Sequence, residues 1–108
     1  MEEKQNIYEL ASHLSESFKR VFVGQVDEHV AFLVRIGGSY LFHQHPKDEL
    51  YIVLEGELVV DFDDGETIVL RRGDSLVARA GRKHRSRSDE GAVALIFKDR
   101  ACLRGQRE

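Results

Sequence analysis

A single cysteine, Cys102, excludes an internal disulfide and fits a reducing compartment, so the expected location is cytoplasmic. No apolar run approaches the roughly 20 residues of a membrane-spanning helix, and no membrane partner is expected. The N-terminus, Met1-Glu2-Glu3-Lys4-Gln5, lacks the basic-then-apolar order of a secretory signal. Proline occurs once, at Pro46, and there is neither a Pro/Ser linker nor an internal repeat. Nothing in the 108 residues therefore marks a second domain. Neither sign of charge dominates: 16 basic and 19 acidic residues leave a net charge of −3. That balance makes no demand for nucleic acid. The one basic run, 79–87, contains no aromatic residue on which a base could stack. It reads as a solvated loop, and Arg79, Arg82 and Lys83 read as loop charges before they read as an anion site. No Ser-His-Asp set, phosphate loop or pair of free carboxylates is present.

What remains is enough apolar residue, 42%, for one core, and a pattern that changes once. Ile7, Leu10, Ala11, Leu14 and Phe18 recur at three- and four-residue steps. This predicts an amphipathic helix over 6–18, with Asn6 as N-cap and Glu9 completing a capping box. His13 falls on its solvent face. From Arg20 on, the period becomes two. Strands are expected over 20–26, 29–36, 40–45, 49–55, 57–62, 67–70, 75–78, 84–88 and 92–98. Asp27-Glu28, Gly37-Gly38, Asp63-Asp64-Gly65, Arg71–Asp74 and Asp89-Glu90-Gly91 break them. Many short strands with no second helix predict an all-β sandwich or barrel. The expected organisation is an N-terminal helix over 1–19, a β-barrel over 20–98, and a polar tail over 99–108 that frays or packs on a partner subunit.

Within this frame, His43 and His45 sit one residue apart, and Glu49 follows four residues after His45. In an extended chain, residues i and i+2 face the same way. A strand through His43 and His45 would project both imidazoles together, and a turn at Pro46-Lys47-Asp48 could return Glu49 beside them. Neutral imidazole is a common metal ligand, and a carboxylate adds a hard anionic donor. The same residues also fit an edge strand with two surface histidines. Parity extends the inward list to Tyr51, Val53, Ser86, Ser88 and Leu41, with Phe97 and Leu95, or alternatively Ile96, flooring the barrel. Tyr51 is a candidate catalytic phenol or a core aromatic.

Two segments together resemble the cupin family. The first has Gly37, five residues, His43-x-His45, three residues, Glu49, six residues and Gly56. The second has Gly73, Gly81 and His84 at the family spacing, with 16 residues between Gly56 and Gly73. The resemblance covers about residues 24–98. Arg79 stands where the motif usually has proline, and Ser88 where it has asparagine. The arginine removes a rigid φ from the turn before Gly81. The resemblance implies a double-stranded β-helix, a jelly-roll barrel. It also implies that His43, His45, Glu49 and His84 converge on one divalent metal ion. His29, beside a turn with no second donor, reads as a rim residue.

Four such ligands could close a tetrahedral zinc site. On a six-coordinate iron, manganese or nickel ion they leave two positions open, one histidine more than the facial triad of non-haem iron enzymes. The expected function is a small-molecule enzyme of dioxygenase, isomerase or lyase class. The alternative is a non-catalytic module holding metal or a small ligand. A ligand-sensing domain of a regulator would need a DNA-binding partner domain. A homodimer is expected, because strands 20–26 and 29–36 carry apolar residues on both faces.

Overall fold

The computed structural model describes residues 2–103. The chain begins with one turn and a half of helix, α1 (Ile7–Ala11). The Asn6 side chain accepts from the backbone N–H groups of Tyr8 and Glu9, as an N-cap does. The helix is shorter than the apolar stripe. Ser12 turns its hydroxyl back onto the Glu9 carbonyl, and Phe18 adopts a left-handed φ of 64°. Serine competes for backbone groups, and a helix cannot pass through a left-handed residue. The stripe still works as an apolar face, but it divides. Ile7, Leu10, Ala11 and Leu14 cover the outside of the sheet, whereas Phe18 packs against the barrel interior.

Seven strands follow, all antiparallel: β1 (Arg20–Val26), β2 (His29–Ser39), β3 (Glu49–Gly56), β4 (Leu58–Phe62), β5 (Thr67–Leu70), β6 (Ser75–Ala78) and β7 (His84–Asp99). The order is β1-β2-β7-β3-β6, with β4 joining β5 to the first arm of β7. This is the all-β double-stranded β-helix that the sequence pattern and the cupin motifs imply. Three expectations change. Strand β2 continues through Gly37-Gly38 with a bulge instead of ending there. Residues 40–45 form no strand; they make one isolated β-bridge, His43 to His84, and single backbone bonds from Tyr40 to Ser86 and from Gly81 to His45. Leu41 is 78% exposed, because without a strand its parity with His43 means nothing.

The third change concerns β7, which is one long strand and not two. A straight strand would separate His84 from Lys98 by roughly 46 Å. Yet both side chains reach Glu49, at 3.2 and 3.0 Å. The strand therefore folds back on itself. Its first arm pairs with β4 and its second with β3. The fold lies at Asp89-Glu90-Gly91, where a turn was expected, opposite the bulge in β2. Ser88 secures it, donating to the Glu57 carbonyl at 2.7 Å and accepting from the Gly91 N–H at 3.1 Å. Gly56, with φ 76°, lies against the Gly91 carbonyl, and a Cβ there would collide with it.

The sheet's two faces bury separate cores. Inside are Val34, Ile36, Tyr51, Val53, Leu58, Val60, Ala94 and Ile96. Outside, under the helix, Leu33, Leu54 and Val93 pack with Ala11 and Leu14. Ile96, and not the half-buried Leu95 and Phe97, faces the interior. The start of the expected tail is packed: Arg100–Leu103 form a 3-10 turn with Cys102 buried, and Arg100 bonds Glu28 through its backbone and its side chain. The rest of the tail lies outside the described residues. No helix among the described residues is long and apolar enough to cross a membrane.

The corner yields a stability prediction. Gly56→Ala combines left-handed strain with a backbone collision, and should cost at least about 2 kcal/mol in urea unfolding. Gly65→Ala has φ 95° but nothing within 4 Å of the new Cβ. It should cost only about 1 kcal/mol, so equal losses would argue against a packed corner.

Candidate metal centre

The site is assembled from three pieces of chain. The 40–48 loop lies against the 79–84 loop: His43 and His84 exchange backbone hydrogen bonds at 2.8 and 2.9 Å, and Gly81 N–H donates to the His45 carbonyl at 2.8 Å. Asp48 finishes the junction, accepting from the Ala80 N–H at 2.8 Å and pairing with Arg79 at 3.2 Å. The Ala80 bond, and then Arg79, hold the Asp48 carboxyl below its ordinary value. The arginine in the proline position thus leaves the turn intact; Asp48 anchors it from across the gap. Glu49 opens β3, with Ala78 opposite on β6 and Lys98 opposite on β7.

These constraints bring His43, His45, Glu49 and His84 together, with one donor atom from each lying within 4.8 Å of all the others. Glu49 and His84 are each 1% exposed and His45 is 4% exposed. His43 Nδ1 bonds the Leu41 carbonyl at 2.9 Å, and His84 Nδ1 bonds the Arg82 carbonyl at 2.8 Å. A carbonyl can only accept, so each Nδ1 carries a proton, and Nε2 is the ring atom left to face the cluster. Three ring nitrogens then face one carboxylate: His84 Nε2 lies 3.2 Å from Oε1 and His45 Nε2 lies 3.5 Å from Oε2. The buried Nε2 atoms of His43 and His45 have no hydrogen-bond partner. Buried lone pairs gathered around an anion are costly unless a cation sits among them. The donor set therefore fits a divalent ion.

Electrostatics agrees. Burial holds His43 in its neutral form, with a pKa of about 4 against the ordinary 6.5, outweighing the bond to Leu41. Burial alone would raise Glu49, but the imidazoles of His45 and His84 set against it and the charge of Lys98 hold it well below the usual range. A neutral imidazole and an ionised carboxylate are the states a metal requires.

Other residues stand apart from the cluster. His29 stacks on Phe97 at 5.3 Å, and His13 is exposed. Tyr51 is fully buried, with its ring edge-on to His84 at 6.2 Å. Every arginine of the basic run has an acidic partner: Asp48 for Arg79, Asp64 and Glu66 for Arg82, Asp61 for Arg85 and Arg87. The Arg87 bond, against some burial, and the Arg85 and Thr67 bonds keep Asp61 at about 2. Sequence reasoning missed Lys98, which is 1% exposed and 3.0 Å from Glu49 Oε2. The signal was present: Ala94, Ile96 and Lys98 share a parity.

A pH prediction follows for metal-free protein. The folded pKa of His43 lies below its unfolded value, so the unfolded chain binds more protons as pH falls. Stability is therefore complete above 6.5 and declines toward about 4. Glu49 adds a loss in the same direction at lower pH. The urea midpoint after chelation should fall on moving from about pH 7.5 to about pH 5, and His43→Gln should flatten that fall. A midpoint independent of pH would contradict it.

Comparison with known proteins identifies the family. Residues 31–97 match the sequence profile of the cupin domain. The chain is 43% identical over 96 residues to the uncharacterized protein YdbB of Bacillus subtilis (strain 168), covering 88% of this chain and 85% of that one. Its fold is similar to a cupin-2 domain containing protein from Shewanella frigidimarina, with TM-score 0.85 and 26% identity over 89% of this chain and 94% of that one. It is also similar to hydroquinone 1,2-dioxygenase PnpCD, solved in complex with Cd2+ and 4-hydroxybenzonitrile, with TM-score 0.75 and 26% identity over 88% of this chain and 71% of that one. More than half of the sequence carries the family's profile and nearly all of it the family's fold: the chain is a member of the cupin family.

Proposed function

We propose that this cupin is a small-molecule enzyme that works through one divalent ion held by His43, His45, Glu49 and His84. The observation that carries the reading is the pair of buried, unpartnered Nε2 atoms facing an ionised carboxylate. When bound, the ion supplies Lewis acidity or a redox centre. The chain's own residues do the rest. The Leu41 and Arg82 carbonyls orient two rings through their Nδ1 protons. Tyr40 stands edge-on to His43 at 5.2 Å, and Phe62 lies 6.1 Å from His84, so apolar surface flanks the donors and limits water. Four donors on a six-coordinate ion leave two positions for an oxygen-rich substrate, alone or with O₂. Iron, manganese and nickel suit that number; zinc suits a closed tetrahedral site. Dioxygenase, isomerase and lyase chemistry all fit such a centre, and the similarity to a hydroquinone dioxygenase supports the first.

A second reading, a binding module without turnover, draws on the scarcity of acid–base groups. Among the buried charged side chains, Asp61 is bonded to Arg85, Arg87 and Thr67, and Lys98 to Glu49. Elemental analysis of protein purified without chelators tests the centre. His84→Ala should lower metal affinity at least roughly tenfold, the loss that even outer partners of a metal site produce. Unchanged binding would remove His84 from the ligand set. Loaded protein screened against small carboxylates, diketones and thiols then separates the readings. Spectral change with product marks an enzyme, and spectral change without product marks a module.

We also propose a cytoplasmic homodimer. The helix covers the Leu33 side of the sheet, but β1 lies at its edge with Phe22 and Val26 each 61% exposed. Apolar side chains on an edge strand invite pairing with a second copy. Light scattering at micromolar concentration should give about twice 12.4 kDa. A mass near 12.4 kDa would show that the edge stays bare.

A further inference from the structure

We propose that Lys98 sets both the charge and the denticity of the centre: it holds one oxygen of Glu49 and cancels its charge, so the open positions select anionic oxygen ligands. This rests on the metal reading above and extends it to a ligand class.

Lys98 and Glu49 lie directly opposite each other where β3 and β7 pair. Their side chains are 0% and 1% exposed, and Nζ stands 3.0 Å from Oε2. The ammonium also lies over the Phe32 ring, 5.5 Å from its centroid. A lysine sealed in this way is rare in a protein interior unless it is paired. Two consequences follow. Turning both carboxylate oxygens toward an ion would take Oε2 from the ammonium and leave a buried charge uncompensated, which is strongly destabilising. Glu49 therefore serves through one oxygen, and its second oxygen blocks no coordination position. The other consequence concerns charge. The three imidazoles contribute none when they act as neutral ligands. The charges of Glu49 and Lys98 cancel. A divalent ion in this pocket then keeps its whole charge at low local dielectric, where a carboxylate, enolate or phenolate oxygen gains most. Without Lys98, Glu49 would already neutralise half of it.

Cobalt(II)-loaded full-length protein gives the test, because its visible absorption reports what enters the open positions. Acetate and acetamide have nearly the same shape and differ in charge. The wild type should bind acetate at least roughly tenfold more tightly. In Lys98→Met, cobalt should remain bound and that preference should shrink by about tenfold. Lys98→Gln keeps a hydrogen-bond donor without the charge and should lose the preference equally. Variants that retain the wild-type preference overturn the inference. A readout on the wild type alone covers the case in which the variants do not fold. The infrared difference between metal-free and loaded protein should show the widely split carboxylate stretches of one-oxygen binding, and narrowly split ones overturn the inference. Protein that takes up no cobalt overturns the metal reading and this inference with it. Cobalt uptake with no charge preference overturns this inference alone.

Discussion

The structure depends on one buried carboxylate. Glu49 is 1% exposed and ionised, and an unpaired charge in that position would be intolerable. Four groups meet it: the imidazoles of His45 and His84, the ammonium of Lys98, and through the cluster the ring of His43. These groups come from the 40–48 loop and from both arms of β7. Satisfying Glu49 therefore requires the barrel to be closed. The site is part of what closes it.

The glycines of the family motif make that closure possible. Gly37, Gly56 and the non-motif Gly91 belong to one corner, where β2 bulges, β3 passes to β4 and β7 doubles back. Residues in β7 that are fourteen positions apart then meet the same side chain. The fixed intervals between motif residues are measures of arm length. From Gly56 back to Glu49 is the whole of β3, and from Gly91 back to His84 is the first arm of β7. Shortening either by one residue would turn the ligand to the other face, because side chains in a strand alternate.

Much of this was legible in the chain. Strand period, Gly/Asp turns and two histidines at i and i+2 are local signals, and the structure places most strands within a residue or two of where they read. The illegible parts are those decided by tertiary contact. Residues 6–18 carry a true apolar stripe, yet it divides between two cores, and serines with a left-handed Phe18 end the helix early. Residues 40–45 have a strand's composition, but the stretch is held by scattered bonds to His84 and Ser86 at the start of β7 and to Gly81, without a continuous ladder. His43 and His45 converge because the loop is pinned, and not because a strand alternates. Lys98 was overlooked for a different reason, despite its parity with Ile96. Lysine near the end of a strand reads as a solvent charge, and only the Glu49 register reveals a partner.

Lys98 also gives the Glu49 carboxylate a partner of opposite charge within the fold. Without that ammonium, a buried carboxylate would be left with imidazoles alone to offset its charge. The ammonium compensates the carboxylate through the fold itself, independently of any ion. An ion bound as proposed would spend less free energy on ordering Glu49, which Lys98 already holds. It also joins three separate pieces of chain, so its binding free energy adds directly to the stability of the closed barrel. Preorganisation and cross-linking usually compete, because a site formed in advance leaves little folding for the metal to drive. Here they are divided between residues: Lys98 holds Glu49 ready, while the unpartnered nitrogens of His43 and His45 remain for the ion to satisfy.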